Sequence, residues 1–459
     1  MSVKFRQLVE IWGKPNFSSE LDLEMIIGSV CTDSRRLIPG DFFLPIVGDT
    51  YNGHLFLEFA YKSGAQATVI SKKYQEHIPK GFPHWIVEDT VKAFQQIALI
   101  HRSNLNIQII AITGSVGKTT TRELIRSSLM SLGEILATSQ NHNNDIGVPM
   151  TLLQGKPIHV AGVIEMGMRG LGEIERLSFC SRPNVAVITK LGTAHLGLLG
   201  SRENIAKAKC EITTFLNPEG VVVIPAGDFL LEKTLAKYWN GRVIRVALNS
   251  DLFDKDLSGN RSLFPDLVGD PNFEQKIIKV DSETYQLPLE GKHNARNFLL
   301  ALAVAKEYDV PLTKLKNLKV EIPRGRNNFI RINQINVIDE TYNSSPESVE
   351  AALELLVSKK GRHFAVLGQM LELGEESIAL HCEMVWKAEK FGLEGLIMIL
   401  DGKESSSILN LPLRKLKKFK VVSTIEGASE ILKTWLIAED NLLLKGSRAV
   451  GLENLISLL

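Results

Sequence analysis

The stretch IIAITGSVGKTTTRELI, residues 109–125, limits the folds open to this chain more than any other feature. An apolar run, a turn with two glycines and a polar helix start follow one another without a break, which is the order strand, turn, helix. Gly114, Ser115, Val116 and Gly117 make the turn, and Lys118, Thr119 and Thr120 open the helix. Glycines let backbone N–H groups converge on phosphate oxygens, and the helix start adds positive potential. In such a loop Lys118 bridges the β- and γ-phosphates of a nucleotide, and the Thr119 hydroxyl faces Mg²⁺. The full pattern has a further glycine where this chain has Ile112, so only the half TGxxGKTT is present. The strand–turn–helix context favours a nucleoside triphosphate over a plain tight turn.

A strand that feeds a helix in this way belongs to an α/β domain, and the alternation continues along the chain. Its 459 residues exceed one ordinary core, so two or three domains are expected. Residues 1–106, with CTDSRRLIPGDFFLPIVGDTYNGHLF and GAQATVIS, read as a small α/β domain of short strands, turns and one helix. Residues 107–322 carry the apolar runs NIQIIAIT, VAGVIEM, NVAVIT, GVVVIP and RVIRVAL, separated by helices. Strands this apolar imply a mostly parallel sheet covered on both faces. Residues 252–273, rich in Asp, Ser, Gly and Pro, read as a surface excursion before a strand region at LPL (287–289) and a helix from Asn294. VEIPRGRNN (320–328) reads as a linker. Residues 323–459 then restart the alternation with INVIDE, HFAVLGQ, GLIMIL, KVVST and NLLLKGS, which predicts a doubly wound, Rossmann-like domain.

Composition excludes several classes. Hydrophobic content of 44% and charged content of 23% are those of a globular protein, and a net charge of +1 argues against nucleic acid as the main partner. LRKLKKFK (413–420) reads as a solvated face. Cys31, Cys180, Cys210 and Cys382 are scattered without a CxxC, so a reduced, cytoplasmic setting without disulfides or a zinc site is expected. There is no leader-like N-terminus and no apolar run near the roughly 18 residues needed to span a bilayer.

Three residues of the middle block carry chemistry. Glu165 closes the apolar run VAGVI, at the strand end where open α/β sheets bind ligands. Beside a phosphate loop, a Mg²⁺ role is the better reading than a salt-bridged acid. His195 follows the next strand; alone it reads as a hydrogen-bonded loop histidine. In SRENIAKAKCEITTFL the apolar stripe is Ile205, Ala208, Ile212 and Phe215/Leu216. At about 100° per residue Lys209 falls on that stripe, whereas Lys207 faces away. A buried lysine is depressed in pKa, and a neutral amine reacts with CO₂ to give a carbamate, a long carboxylate able to ligate Mg²⁺. Snorkelling to the surface is the alternative that spacing leaves open.

These residues sit within nine ordered segments that together resemble the Mur ligase family, ATP-dependent amide-forming enzymes of peptidoglycan precursor synthesis. The segments are TGSVGKTTTRE, NHNNDIGVPMTLL, IEMGMRGLGEI, TAHLGLLGSRENIAKAKCEI, GKHNARN, PRGR, IDETYNSSPES, VLGQMLELGEES and LKGSR, spread over essentially the whole chain. Within the family, GSVGKTTTRE, NHNND, EMGM, YNSSPES and LGQMLELG are similar to the branch that couples a UDP-N-acetylmuramoyl tripeptide to D-alanyl-D-alanine. TDSRRLIPGDFF resembles the family's N-terminal uridine-nucleotide domain.

The resemblance implies an N-terminal domain for the UDP-sugar peptide (1–106), a central ATP domain (107–322) and a C-terminal domain that closes on ATP and binds the amine (323–459). It implies two Mg²⁺ ions, with Thr119 and Glu165 at the first, and His195 and a carbamylated Lys209 serving the second. Asn294 and Asn297 match the adenine-contacting segment, Arg326 the linker arginine that reaches the phosphates, and Asp339, Glu340 and Tyr342 the ribose and base segment. Ser34 and Arg35 match the uridine site, Asn143 and Asn144 the peptide side, and Lys445 and Ser447 the amine side. A cytoplasmic monomer without a membrane span or nucleic-acid partner is expected.

The chain departs from the family at Lys190 for asparagine, Gln369 for aspartate, Arg122 for lysine and Cys210 for glycine. Lys190 adds a charge near the metals that Glu173 or Glu175 can balance, and Gln369 removes a carboxylate from the third domain. A folylpolyglutamate-synthase-like or cyanophycin-type ligase is disfavoured by the TDSRRLIPGDFF block, and a non-catalytic nucleotide sensor by the presence of Glu165, His195 and Lys209.

Overall fold

The apolar runs assemble into three separate sheets in the computed structural model, which describes residues 1–17, 22–253 and 264–459. The first is four parallel strands in chain order: β1 (Val30–Cys31), β2 (Phe42–Phe43), β3 (Ala67–Ser71) and β4 (His84–Val87). Phe5, Leu8, Phe42, Trp85, Phe94 and Ile97 form its core. Three helices accompany it, Phe5–Trp12, Leu57–Lys62 and Thr90–Ser103, where the sequence suggested one. The first two have only eight and six residues, too short for periodicity to stand out, and packing rather than propensity holds them. The third is started by Asp89, whose carboxylate accepts from the N–H groups of Val91 and Lys92. It packs against helices Gly147–Leu153 and Glu173–Ser181 of the middle block.

The central sheet holds nine strands: β5 (Gln108–Thr113), β6 (Glu134–Ala137), β7 (His159–Glu165), β8 (Val185–Ile188), β9 (Val221–Pro225), β10 (Arg242–Leu248), β11 (Leu267–Asn272), β12 (Ile277–Val280) and β13 (Glu283–Gln286). Their order is β13-β12-β11-β10-β9-β8-β5-β7-β6. β6 through β11 run parallel, and β12 and β13 add an antiparallel edge. After β5 the chain goes to one side for β6 and β7, then to the other for β8, so the order reverses at β5. Ligands in such sheets sit in the crevice at that reversal, beyond the carboxyl ends of the strands. Helices Lys118–Leu129 and Lys292–Glu307 cover one face, and Glu173–Ser181 and Arg202–Cys210 the other.

Two expectations for this block change. Of the excursion read over 252–273, residues 254–263 lie outside the described residues, but 267–272 are β11, laddered onto β10 by Val246 opposite Leu267. Gly269, Asp270 and Pro271 hid that strand from a propensity reading. The strand expected at 287–289 is β13, which stops at Gln286, ahead of Pro288 with its missing N–H. The short edge strand β6 has no distinctive apolar run and escaped notice.

The third sheet has the order β14-β15-β19-β16-β17-β18, with β14 (Asn328–Ile332), β15 (Ile335–Glu340), β16 (His363–Gly368), β17 (Gly395–Ile399), β18 (Lys418–Val422) and β19 (Asn441–Lys445). Only the edge strand β14 is antiparallel. Apolar clusters lie on both faces, one under helices Pro346–Val357 and Ser377–Lys390, the other under Ile425–Trp435. The doubly wound expectation is met.

Candidate active site

A cavity of about 1640 Å³ opens where the three sheets converge. It is lined by Asp89 and Gln95 from the first domain, the phosphate loop and Glu165 from the second, and Arg326 and Lys445 from the third.

The phosphate loop is shaped by its glycines. Gly114 has φ +149° and Gly117 has φ +87°, both left-handed-side values that side chains resist. The Thr189 hydroxyl donates to the Val116 carbonyl (2.5 Å), and the Ser115 N–H to the Lys190 carbonyl (2.8 Å), tying the loop to the end of β8. Lys118 folds back to donate to the Gly114 carbonyl at 2.8 Å. Its ammonium is desolvated, which lowers its pKa, with Glu165 opposing and Arg326 adding to the drop. A Cβ on Gly114 would overlap the Thr189 hydroxyl. Gly114→Ala is therefore expected to cost about 1–3 kcal/mol in the loop, read by calorimetry as ATP affinity roughly tenfold weaker or worse.

Glu165 ends β7 and is 2% exposed. Its carboxylate accepts from the Thr119 hydroxyl (3.0 Å), Arg122 Nη1 (3.1 Å) and Asn143 Nδ2 (2.8 Å). Arg122, 1% exposed, also holds Glu123 at 2.6 Å and the Gln140 carbonyl at 3.0 Å. Thr119 and Arg122 are three apart, hence on one helix face, which is the signal that could have placed Arg122 here.

Lys209, in the last turn of helix Arg202–Cys210, is wholly buried while Lys207 is exposed, as the stripe predicted. Its Nζ has no hydrogen-bond partner. Burial, then the neighbouring Lys118, holds its pKa well below the usual amine range, so the neutral amine is favoured. His195 stands at φ +66°, and its Nδ1 meets the Glu372 carboxylate of the third domain. Burial, with Lys209 and Lys118 nearby, depresses the imidazole pKa to about 4. Among the described residues no three His, Cys, Asp or Glu side chains gather in metal-holding geometry.

Asn294 and Asn297 lie in the first turns of helix Lys292–Glu307, linked at 3.3 Å, and an added Cβ on Gly117 would sit 3.0 Å from Asn297 Oδ1. From the third domain, Arg326 stacks on the Tyr342 ring at 3.9 Å, with its Nε unpartnered. Asp339 accepts from the Thr341 hydroxyl at 2.7 Å, and Lys445 donates to the Asn343 carbonyl at 2.8 Å with Glu340 3.6 Å away. The Ser447 hydroxyl accepts from the Leu371 N–H at 3.1 Å. Asn144 lines the cavity but also braces the turn, accepting from the Gly147 N–H at 2.9 Å.

Ser34 and Arg35 are not brought in: Arg35 points to solvent, paired with Asp33 at 2.8 Å, and neither lines the cavity. Asp339 is buried behind the wall rather than in it. Lys190 is exposed at the rim, and Glu173 is engaged with the Arg169 N–H rather than balancing it. Arg122, Glu347 and Glu372 were not foreseen as site residues.

Residues 112–305 match the Mur ligase middle domain, and residues 325–448 match the Mur ligase, glutamate ligase domain. The UDP-N-acetylmuramoyl-tripeptide–D-alanyl-D-alanine ligase of Synechocystis is 37% identical over 444 residues, covering 96% of this chain and 93% of the relative. The crystal structure of MurF from Acinetobacter baumannii is similar with a TM-score of 0.85 at 28% identity, over 99% of this chain and 98% of that one. MurF from Thermotoga maritima in complex with ADP has a TM-score of 0.81 at 26% identity, over 94% of this chain and 97% of that one.

Proposed function

This chain belongs to the Mur ligase family of ATP-dependent ligases, and from that premise we propose that it joins D-alanyl-D-alanine to a UDP-N-acetylmuramoyl tripeptide. The observation that carries the reading is the likeness to the Synechocystis ligase along 96% of the chain, N-terminal block included. The product is the UDP-muramoyl pentapeptide precursor of peptidoglycan.

An amide cannot form from a carboxylate in neutral water without activation. The peptide's terminal carboxylate oxygen attacks the γ-phosphorus of ATP, the bond to the β-phosphate oxygen breaks, and an acyl phosphate and ADP result. The dipeptide's free amine then attacks the acyl carbon; phosphate leaves and the amine's proton is lost. Crowded oxyanions oppose the first step, and Lys118 lowers that barrier by neutralising them. Asn294, Asn297, Asp339 and Tyr342 serve the nucleoside, and Arg326 serves the phosphates from the C-terminal side. Asn143 and Asn144 serve the peptide, Lys445 and Ser447 the amine, and Ser34 and Arg35 the uridine end. Domain limits of 1–106, 107–322 and 323–459 follow the same division.

The donor set fits Mg²⁺: the Thr119 hydroxyl and a Glu165 oxygen converge at 3.0 Å beside the phosphate loop. Bound there, the ion would supply charge neutralisation at the phosphates. His195 and a carbamate on Lys209 would hold a second ion. The carbamate is supported by a buried Nζ without a partner, which reacts as amine plus CO₂ giving carbamate and a proton. Among the described residues no helix is long and apolar enough to cross a membrane, and a cytoplasmic monomer is the setting we infer.

Phosphate release and product mass test the reading. Release is expected with UDP-muramoyl tripeptide only when D-alanyl-D-alanine is added, with the pentapeptide as product. Release with a folate acceptor instead would overturn it.

A further inference from the structure

The short loop that carries His195 is gripped from across the cavity by the C-terminal domain. Glu372 meets His195 Nδ1 with its carboxylate, and its backbone carbonyl accepts from the Gly197 N–H at 2.9 Å. Two residues before His195, the Thr193 N–H donates to Glu347 Oε1 at 2.6 Å. At Gly197 the two backbones meet so closely that glycine is required: an added Cβ would lie 2.5 Å from Gly374 N, whereas one on Gly192 would meet only the Glu347 side chain, 2.7 Å from its Cδ. His195 and Glu372 both hold left-handed backbone conformations, at φ +66° and +63°, which a non-glycine residue keeps only when its surroundings enforce it. Arg169 flanks the pair, with its Nε 3.7 Å from Glu372 Oε1.

A carboxylate on one ring nitrogen fixes an imidazole's tautomer and rotation and leaves the other nitrogen's lone pair for the site. His195 lines the cavity, and with Nδ1 on Glu372 the ring nitrogen left for a ligand is Nε2. We propose that Glu372 is a positioning residue that acts through His195, so that His195 is oriented for the reaction only when the C-terminal domain is seated on the central one. The catalytic part of this inference rests on the ligase reading; the orientation of the ring does not. Seating and orientation become one event because the same loop, residues 371–374, makes both contacts. Glu347 grips the His195 loop at the Thr193 N–H without touching His195, so it contributes to seating but makes no contact with the ring.

The test uses the full-length chain labelled with ¹⁵N-histidine, without substrates. His195→Gln identifies the His195 signals. Glu372→Gln and Glu372→Ala are expected to shift the His195 ring nitrogens towards a tautomer average, with the buried His54 and His101 signals unmoved as the check on folding. Glu347→Gln, whose amide oxygen still accepts from the Thr193 N–H and so keeps the domain seated, is expected to leave the His195 signals in place. Unchanged His195 signals in both Glu372 variants, or equal shifts from Glu347→Gln, would overturn the proposal. With ligation as readout, Glu372→Ala is expected to lower kcat roughly 10–100-fold with the KM for ATP unchanged. In a His195→Ala background it should lower kcat no further; multiplicative losses would count against action through His195. A wild-type chain that shows the histidine coupling but does not ligate would sink the ligase reading alone.

Discussion

Replacing Lys209 with methionine is expected to abolish ligation while raising the melting temperature. The two effects have one cause. Lys209 is buried on an apolar stripe, between Ala208 and Cys210 in a helix packed into the core, and its Nζ finds no hydrogen-bond partner. An unsatisfied buried polar group costs roughly 1–3 kcal/mol, and methionine fills similar space without that penalty. The fold thus tolerates an amine that packing alone would reject, which marks the position as functional. Lys209→Ala in the presence of acetate or propionate should recover part of the rate, because a small carboxylate can occupy the space the carbamate would take. Intact-protein mass spectrometry of the variant and wild type with added bicarbonate checks the chemistry directly. Full activity in Lys209→Met would end the carbamate reading.

Lys118→Met is expected to lose turnover by about 10²–10³-fold, again without loss of stability. Lys118 is desolvated, with Glu165 favouring its charge and the nearby cations Arg326 and Lys209 opposing it. Among the described residues its hydrogen-bond partner is the Gly114 carbonyl, a contact inside its own loop. Removing the charge ends the cost of burying it but withdraws the cation that γ-phosphate transfer needs. ADP release by single turnover and thermal unfolding, measured on the same preparation, separate the two. A variant that turns over normally would contradict the role of the phosphate loop, and one that melts far lower would show that Lys118 is structural.

Much of this site could be read along the chain. The phosphate loop is a contiguous run from Gly114 to Thr120 whose turn chemistry calls for glycine at 114 and 117, and both have positive φ. Lys209 was legible because helical periodicity alone puts it on the buried face. Glu165 was legible because a carboxylate closing an apolar strand can only emerge at the sheet's carboxyl edge. What escaped was of two kinds. Short or interrupted elements, β6 and β11 and the two small N-terminal helices, form because neighbours cover them and not because their residues prefer them. Interactions between distant segments left no local trace. Arg122 shares a helix face with Thr119, which places it near the site, but its partner Glu165 lies 43 residues on and only the fold brings the two together.

The sequence by itself determined the alternation of strands and helices, the nucleotide loop and the burial of Lys209, because each depends on spacing within a dozen residues. Only the tertiary structure decided what those parts face. The order reversal at β5 brings the ends of β5, β7 and β8 to one crevice, and docking of the third domain sets Glu372 on His195 and Glu347 on Thr193, across 177 and 154 residues. Ser34 and Arg35, matched by motif alone, stay outside the cavity for the same reason. Local pattern dictates which elements form; the packing of whole sheets and domains dictates which side chains meet.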